Sequence, residues 1–263
     1  MPGSQSDPFG TAGLRRAVLD AWAASPARFR EDANAEEDYA LGGYRDRVIV
    51  ELAQNAADAA ARGGVPGRLR LALRDGTLTA ANTGAPLDAA GVAALSTLRA
   101  SSKRGPAAAQ AAVGRFGVGF AAAVAVSDEP RIASAAGAVA WSRPAAAEIV
   151  AQLPELAGEL AARSGHLPVL RLPFAADGRP PAGFATEVTL PLRDEAAVSL
   201  VGRLLAEAGP ALLLALPALA AVEIDAGGRR RELTAVHDGD GVTITDGGTA
   251  GTAGGTAGTA GGT

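Results

Sequence analysis

Residues 48–64, VIVELAQNAADAAARGG, decide how this chain is read. Alanine supplies six of the seventeen residues and favours helix. Yet Glu51, Asn55 and Asp58 stand inside it, and Asn and Asp are among the poorer residues for a helix interior. At roughly 100° per residue, Asn55 lies about 40° from Glu51 and Asp58 about 20° to its other side, so the three share one narrow stripe. Val48, Leu52, Ala56 and Ala59 fall on the adjacent flank, the side such a helix buries. The polar stripe therefore runs along the edge of the core, where a carboxylate and an amide are expected to meet a ligand. A solvated face that merely holds three polar residues has the same spacing. In so alanine-rich a chain that is the default, and the rest of the sequence has to decide.

The chain has 263 residues, 48% of them hydrophobic, which is ample for a proper core. A net charge of −4 lacks the broad basic field of a nucleic-acid binder and argues against nucleic acid as the main partner. Cysteine is absent, which excludes disulfides, thiolate catalysis and cysteine-held zinc, and points to the reducing cytoplasm. The first thirteen residues hold no apolar signal core. The longest apolar run, Ala211 to Val222, is too short to span a bilayer and contains Pro217, so no membrane is expected as partner. Only His166 and His237 occur, each in a loop-like context. Chemistry is therefore expected from carboxylates, amides, Lys, Arg and an oxygen-held metal.

Leu14, Ala17, Val18, Ala21 and Trp22 follow helical spacing, and the segment 25–44 leads into the striped helix, which stops at Gly63 and Gly64 with Pro66 beyond. The period then changes to two. Leu69, Leu71 and Leu73 stand at every second position, and Asp75-Gly76 is the chemistry of a tight antiparallel turn. Helix returns over PLDAAGVAALSTLRA with Asp88 as N-cap. A Ser/Lys/Gly/Ala loop from Ser101 to Gly119 and a short helix FAAAVAVSD follow. Next come strands in PRIASAAGAVAWS, PVLRLPF and TEVTLPL, a helix from Glu195 to Glu207, and a hairpin across Gly227-Gly228. These elements predict an α+β fold: a two-layer α/β sandwich with a mixed, mostly antiparallel sheet and helices on one face. The domain is expected over residues 1–236, with its helices beginning near residue 14. Residues 237–263, a Thr/Ala/Gly repeat with nothing to bury, are expected to be a flexible tail or linker.

The companion to the striped helix is VGRFGVGF, residues 113–120. Gly114, Gly117 and Gly119 let the backbone approach a ligand, and the helix that follows offers N–H groups to an anion. A glycine triplet alone is weak evidence. It is not a Walker A loop, which needs Lys followed by Ser or Thr, and it follows a long loop where a dinucleotide fingerprint would follow a strand.

Together, ELAQNAADA and GRFGVGF resemble the signatures of the Bergerat-fold, or GHKL, ATPase superfamily. That superfamily includes gyrase B, the ninety-kilodalton heat-shock chaperones, sensor histidine kinases and MutL, and the likeness is greatest to the chaperone and sacsin-type branch. Glu51, Leu52, Asn55, Asp58 and Ala59 fill the places of that branch's nucleotide helix, and Gly114, Phe116, Gly117, Val118, Gly119 and Phe120 those of its lid end. SSK, with Ser102 and Lys103, stands where sacsin-like members carry a Ser/Lys motif, and Thr186 matches the strand threonine that helps bind adenine. The likeness spans about residues 14–225. One motif departs: the family's Asp-x-Gly-x-Gly loop is here NTGAP, with Asn82 for Asp, Gly84 retained, and Pro86 for the second Gly. An Asn amide can present either its acceptor or its donor end, so weakened discrimination against guanine is expected.

The resemblance implies an ATP-binding and ATP-hydrolysing domain of a chaperone-like, heat-shock-protein-90-like or sacsin-like protein, with ATP or ADP and Mg as cofactors and a nucleotide-closed lid. On it, Glu51 orients and deprotonates the attacking water, Asn55 binds the magnesium, and Asp58 lines the adenine end. Implied partners are client proteins or downstream domains, with a homodimer among the assemblies the branch allows. The alternative is a nucleotide-sensing module that binds ATP or ADP without hydrolysing it. A sensor-kinase role is disfavoured, because no phosphoacceptor His precedes the site.

Overall fold

The computed structural model describes residues 6–41, 44–97, 120–238 and 241–250. Nine strands form one sheet in the order β5-β4-β3-β6-β2-β1-β7-β8-β9. The strands are β1 Gly67–Arg74, β2 Thr77–Asn82, β3 Arg131–Ser134, β4 Gly137–Ala140, β5 Phe174–Ala176, β6 Thr186–Pro191, β7 Leu219–Ala226, β8 Arg229–Asp238 and β9 Gly241–Ala250. Every pairing is antiparallel except β1 with β7, in which Leu69 faces Val222 and Leu71 faces Ile224. The expected α+β, mostly antiparallel architecture is thus observed.

The helices are α1 Thr11–Ala24, α2 Pro26–Leu41, α3 Val48–Gly63, α4 Ala89–Thr97, α5 Ala121–Val126, α6 Arg143–Ala151, α7 Ala157–Ala162, α8 Glu195–Glu207 and α9 Pro210–Ala215. Period-two patterning decides which side of the sheet they cover. Leu69 and Leu71 of β1 are buried beneath α3 and α8, while Arg68 before them and Arg74 after them are exposed on the opposite face, with the half-exposed Arg70 between. Among the described residues no helix is long and apolar enough to cross a membrane.

Local signals act where the sequence places them. Asp75 (φ 47°) and Gly76 (φ 70°) both take the left-handed conformation, which a two-residue hairpin between right-twisted strands requires. Asp88 Oδ1 accepts from Gly91 N at 2.8 Å, and Asp194 Oδ1 from Ala197 N at 2.7 Å, capping α4 and α8. Gly64 closes α3 at φ 61°, its N–H donating to the carbonyls of Ala60 and Ala61.

Three expectations meet differences. PVLRLPF is not a strand. Val169–Arg171 forms a 3-10 turn, and only Phe174 enters β5. Pro168 and Pro173 bracket the segment without N–H donors, and the Glu36 carboxylate on α2 accepts from Val169 N (2.9 Å) and Leu170 N (3.0 Å), taking the place of a ladder. The boundary at 236 falls inside β8, which runs to Asp238. Residues 241–250, expected as tail, form β9 along the whole of β8. The β-branched run Val242 to Thr245 and the partly buried Ile244, packed against the core, explain the pairing. Residues 251–263 lie outside the described residues. Finally, α2 and α6 are helices that the periodicity did not announce. α6 is opened by Ser142, whose Oγ accepts from Ala145 N, and by a proline in its first turn.

Candidate functional site

Half of the circumference of α3 is buried, from Val48 and Leu52 round to Ala57, and the polar stripe lies along the edge of that half. Glu51 and Asn55 are half-buried and Asp58 is exposed. The Glu51 carboxylate faces the Arg47 guanidinium at 3.6 Å, one turn earlier in the chain. Ala59, one turn beyond Asn55 on the same flank, is fully buried, and its carbonyl accepts from Ala85 N at 2.8 Å.

That bond staples the 82–87 loop to the helix. Gly84 adopts φ +110°, and a Cβ there would collide with the Ala59 carbonyl and the Ala60 amide nitrogen. Helix packing and backbone conformation therefore both account for the glycine. The loop's two ends are held by the sheet. Asn82, Thr186 and Ser134 stand abreast across β2, β6 and β3, with Asn82 paired to Thr186 and Thr186 to Ser134. All three are buried and share the face that carries Leu78 and Leu190, so they form a polar rung at the end of an apolar layer. Thr186 Oγ1 accepts from Leu87 N at 3.4 Å, and Ser134 Oγ donates to Leu87 O at 2.8 Å. The two hydroxyls grip one backbone residue from both sides. Asn82 Nδ2 donates to Thr83 O at 2.9 Å, which directs its Oδ1 away from that carbonyl as an acceptor for an incoming donor.

Ala59, Asn82, Gly84 and Thr186 thus come together around one loop, with Asn55 and Glu51 one and two turns back along α3. Ser134 is a member that sequence reasoning missed. Its only signal is its register opposite Thr186, which becomes visible once β3 is paired with β6. Phe120 is buried with its ring 5.3 Å from that of Trp141, as core. Ser102, Lys103, Gly114, Phe116, Gly117, Val118 and Gly119 lie outside the described residues.

Among the described residues no three His, Asp or Glu side chains cluster as a metal site. A cation held at Asn55 would take most of its ligands from phosphate and water, as magnesium commonly does. Comparison with protein-family models finds no match to this chain, and comparison with curated proteins finds none either.

Proposed function

We propose that the edge of α3 and the 82–87 loop form part of a nucleotide pocket of the GHKL type, and that the chain binds ATP or ADP with magnesium and hydrolyses ATP. The observation that carries this reading is the buried polar rung. Thr186 and Ser134 anchor Leu87, but Asn82 completes with them a buried polar row in an otherwise apolar layer, beside a loop pinned to the helix that bears Glu51 and Asn55.

The residues suit the task in chemical kind. Asn82 Oδ1 accepts from an exocyclic amine, and the Thr186 hydroxyl, already accepting from Leu87 N, keeps its proton to donate. Asn55 would hold magnesium through its amide oxygen, and the bound ion would compensate phosphate charge. Glu51 would accept the proton of the attacking water, its carboxylate steadied by Arg47. Positioning and charge compensation supply most of the acceleration in such a transfer, and a rigid helix edge provides the first. A chaperone-like role with client proteins, and completion of the site by a downstream domain or a second copy, follow from the resemblance alone.

Calorimetric titration with Mg-ADP and Mg-ATP, run beside a phosphate-release assay, tests the reading. Glu51→Gln is expected to keep Mg-ATP affinity while phosphate release falls by roughly 10²- to 10⁴-fold. Asn55→Ala is expected to weaken Mg-ATP binding itself, with a smaller effect in EDTA. Binding without turnover, both in this chain and with a natural downstream domain attached, would leave the nucleotide-sensing module as the better account. Absence of nucleotide binding would end both.

A further inference from the structure

The helical layer contains a second feature, which none of the described residues of the candidate pocket lines. α1 and α2 meet at Ser25, and a cleft of about 770 Å³ opens between them and α4. Its size is that of a small-molecule site. Its wall is apolar and shallow because Ala17, Ala21 and Ala24 of α1 stand where larger residues would close the helix pair. The pair is held elsewhere, by Trp22 against Phe29, edge to face at 5.1 Å.

The floor is polar and built. Trp22 Nε1 donates to Asp32 Oδ2 at 2.9 Å, and Arg171, 6% exposed, pairs through Nη2 with Asp32 Oδ1 at 2.7 Å and donates through Nη1 to Ser96 O at 3.2 Å. Asp32 and Arg171 therefore balance each other's charge. Arg28, at the rim, forms no ion pair or side-chain hydrogen bond with the described residues. Arg28 and Arg171 both line the cleft; burial holds the Arg171 guanidinium below the usual arginine value, Asp32 and Glu36 oppose that, and Arg28 adds to the depression. Glu31, the other rim charge, stabilises the cation of Arg30 on the outer surface.

We propose that this cleft is a ligand site for a small amphipathic anion, its carboxylate against Arg28 and its hydrocarbon body along Ala17, Val18 and Ala21. The cleft offers an alkyl chain a wall of Ala17, Val18 and Ala21, and offers the head a cation, Arg28, with no ion-pair partner among the described residues. Among the described residues of the proposed nucleotide pocket, Glu51, Asn55, Asp58, Asn82 and Thr186 do not line the cleft.

The test uses the full chain with decanoate below its micellar concentration and with decanol as a body of equal length without charge. Trp22 Nε1 binds Asp32 in the cleft floor, so tryptophan fluorescence reports a change there, although Trp22 and the chain's other tryptophan, Trp141, are both fully buried. Calorimetry gives the affinities. Decanoate is expected to saturate one site and to bind about tenfold tighter than decanol. Arg28→Gln should bring decanoate down to the decanol level, and Ala21→Phe should exclude both ligands with the circular dichroism spectrum unchanged. Ala17→Leu serves if that variant fails to fold. Absence of decanoate binding overturns the proposal, as do equal affinities for the two ligands or decanoate binding unaffected by Arg28→Gln. Displacement of decanoate by Mg-ADP also overturns it by placing the ligand in the nucleotide pocket. Retained decanoate binding without any ADP binding would support the cleft while the nucleotide reading fails.

Discussion

Two glutamates show how environment decides what one residue type does. Glu36 is fully buried, and burial pushes its carboxyl up to about 7 despite bonds from Val169 N and Leu170 N and the charges of Arg143 and Arg171. Between about pH 4.5 and pH 7 the native state then holds a proton that the unfolded chain has released, so stability falls as pH rises through that window, by about 3 kcal/mol across it. In Glu36→Gln, the difference between urea midpoints at about pH 5 and about pH 8 is expected to shrink relative to the parent. An undiminished difference would assign the titration to other groups. Glu223 behaves in the opposite sense. Burial raises its carboxyl, but Arg68 (2.9 Å), Arg70 (3.1 Å) and Arg230 (3.2 Å) overcome this and hold it below the usual value. Its contribution is present at neutral pH and is lost as pH falls through the lowered value. Glu223→Gln should therefore cost stability at pH 7 and progressively less on acidification or in high salt, and a loss independent of both would point to packing. Asn82 carries a third prediction. On the proposed reading, Nδ2 is committed to Thr83 O, so Oδ1 would meet the 6-amino group of adenine and not the 6-oxo group of guanine, the opposite of the relaxed selectivity expected from the sequence. Competition titration should show ADP preferred to GDP, with Asn82→Ala reducing that preference by about tenfold or less.

At the scale of elements, the join between α3 and the 82–87 loop is the most constrained place in the fold. Gly84→Ala brings a Cβ into the Ala59 carbonyl at a backbone angle that L residues avoid, so a loss of more than about 2 kcal/mol in chemical unfolding is expected. Asp194→Ala removes a single cap and should cost about 1 kcal/mol; equal effects in the two variants would mean that the join is softer than described. Legibility from sequence follows the same line. Elements announced by local chemistry were readable: the β1–β2 turn from Asp75-Gly76, the Asp88 cap, and α8, whose bounds Glu195 and Glu207 match the expectation. Elements decided at a distance were not. The turn at Val169–Arg171 depends on Glu36, more than a hundred residues earlier, and β9 exists because β8 offers an edge to a segment whose composition resembles a linker. The candidate site divides similarly. The helix stripe and Asn82, Gly84 and Thr186 were legible as motifs, whereas Ser134 was invisible until strand register placed it beside Thr186.

Across the whole molecule, the two edges of the sheet are finished differently. β5 is three residues long and lies under α1, where Arg15 stacks 4.5 Å from the Phe174 ring centre. β9 is ten residues long with a single charged residue, Asp246, and most of its described side chains are exposed. Removing residues after Asp238 should consequently cost no more than about 2 kcal/mol, read as a modest fall in melting temperature with the transition still cooperative. Collapse of the fold would show that β9 supports the core. The parallel seam between β1 and β7 is of another kind, because it joins the first strand of the sheet to one that begins at Leu219. At a synthesis rate of about 5–20 residues per second, a ribosome needs roughly 8–30 s after making β1 to deliver its parallel neighbour. Until then the nascent sheet stops at β1 and presents an unpaired edge to the crowded interior of a cell. Arg68, Arg70 and Arg74, which project from one face of that strand, give the waiting edge the positive charge that discourages pairing with other chains, before they find Glu223 and Asp225.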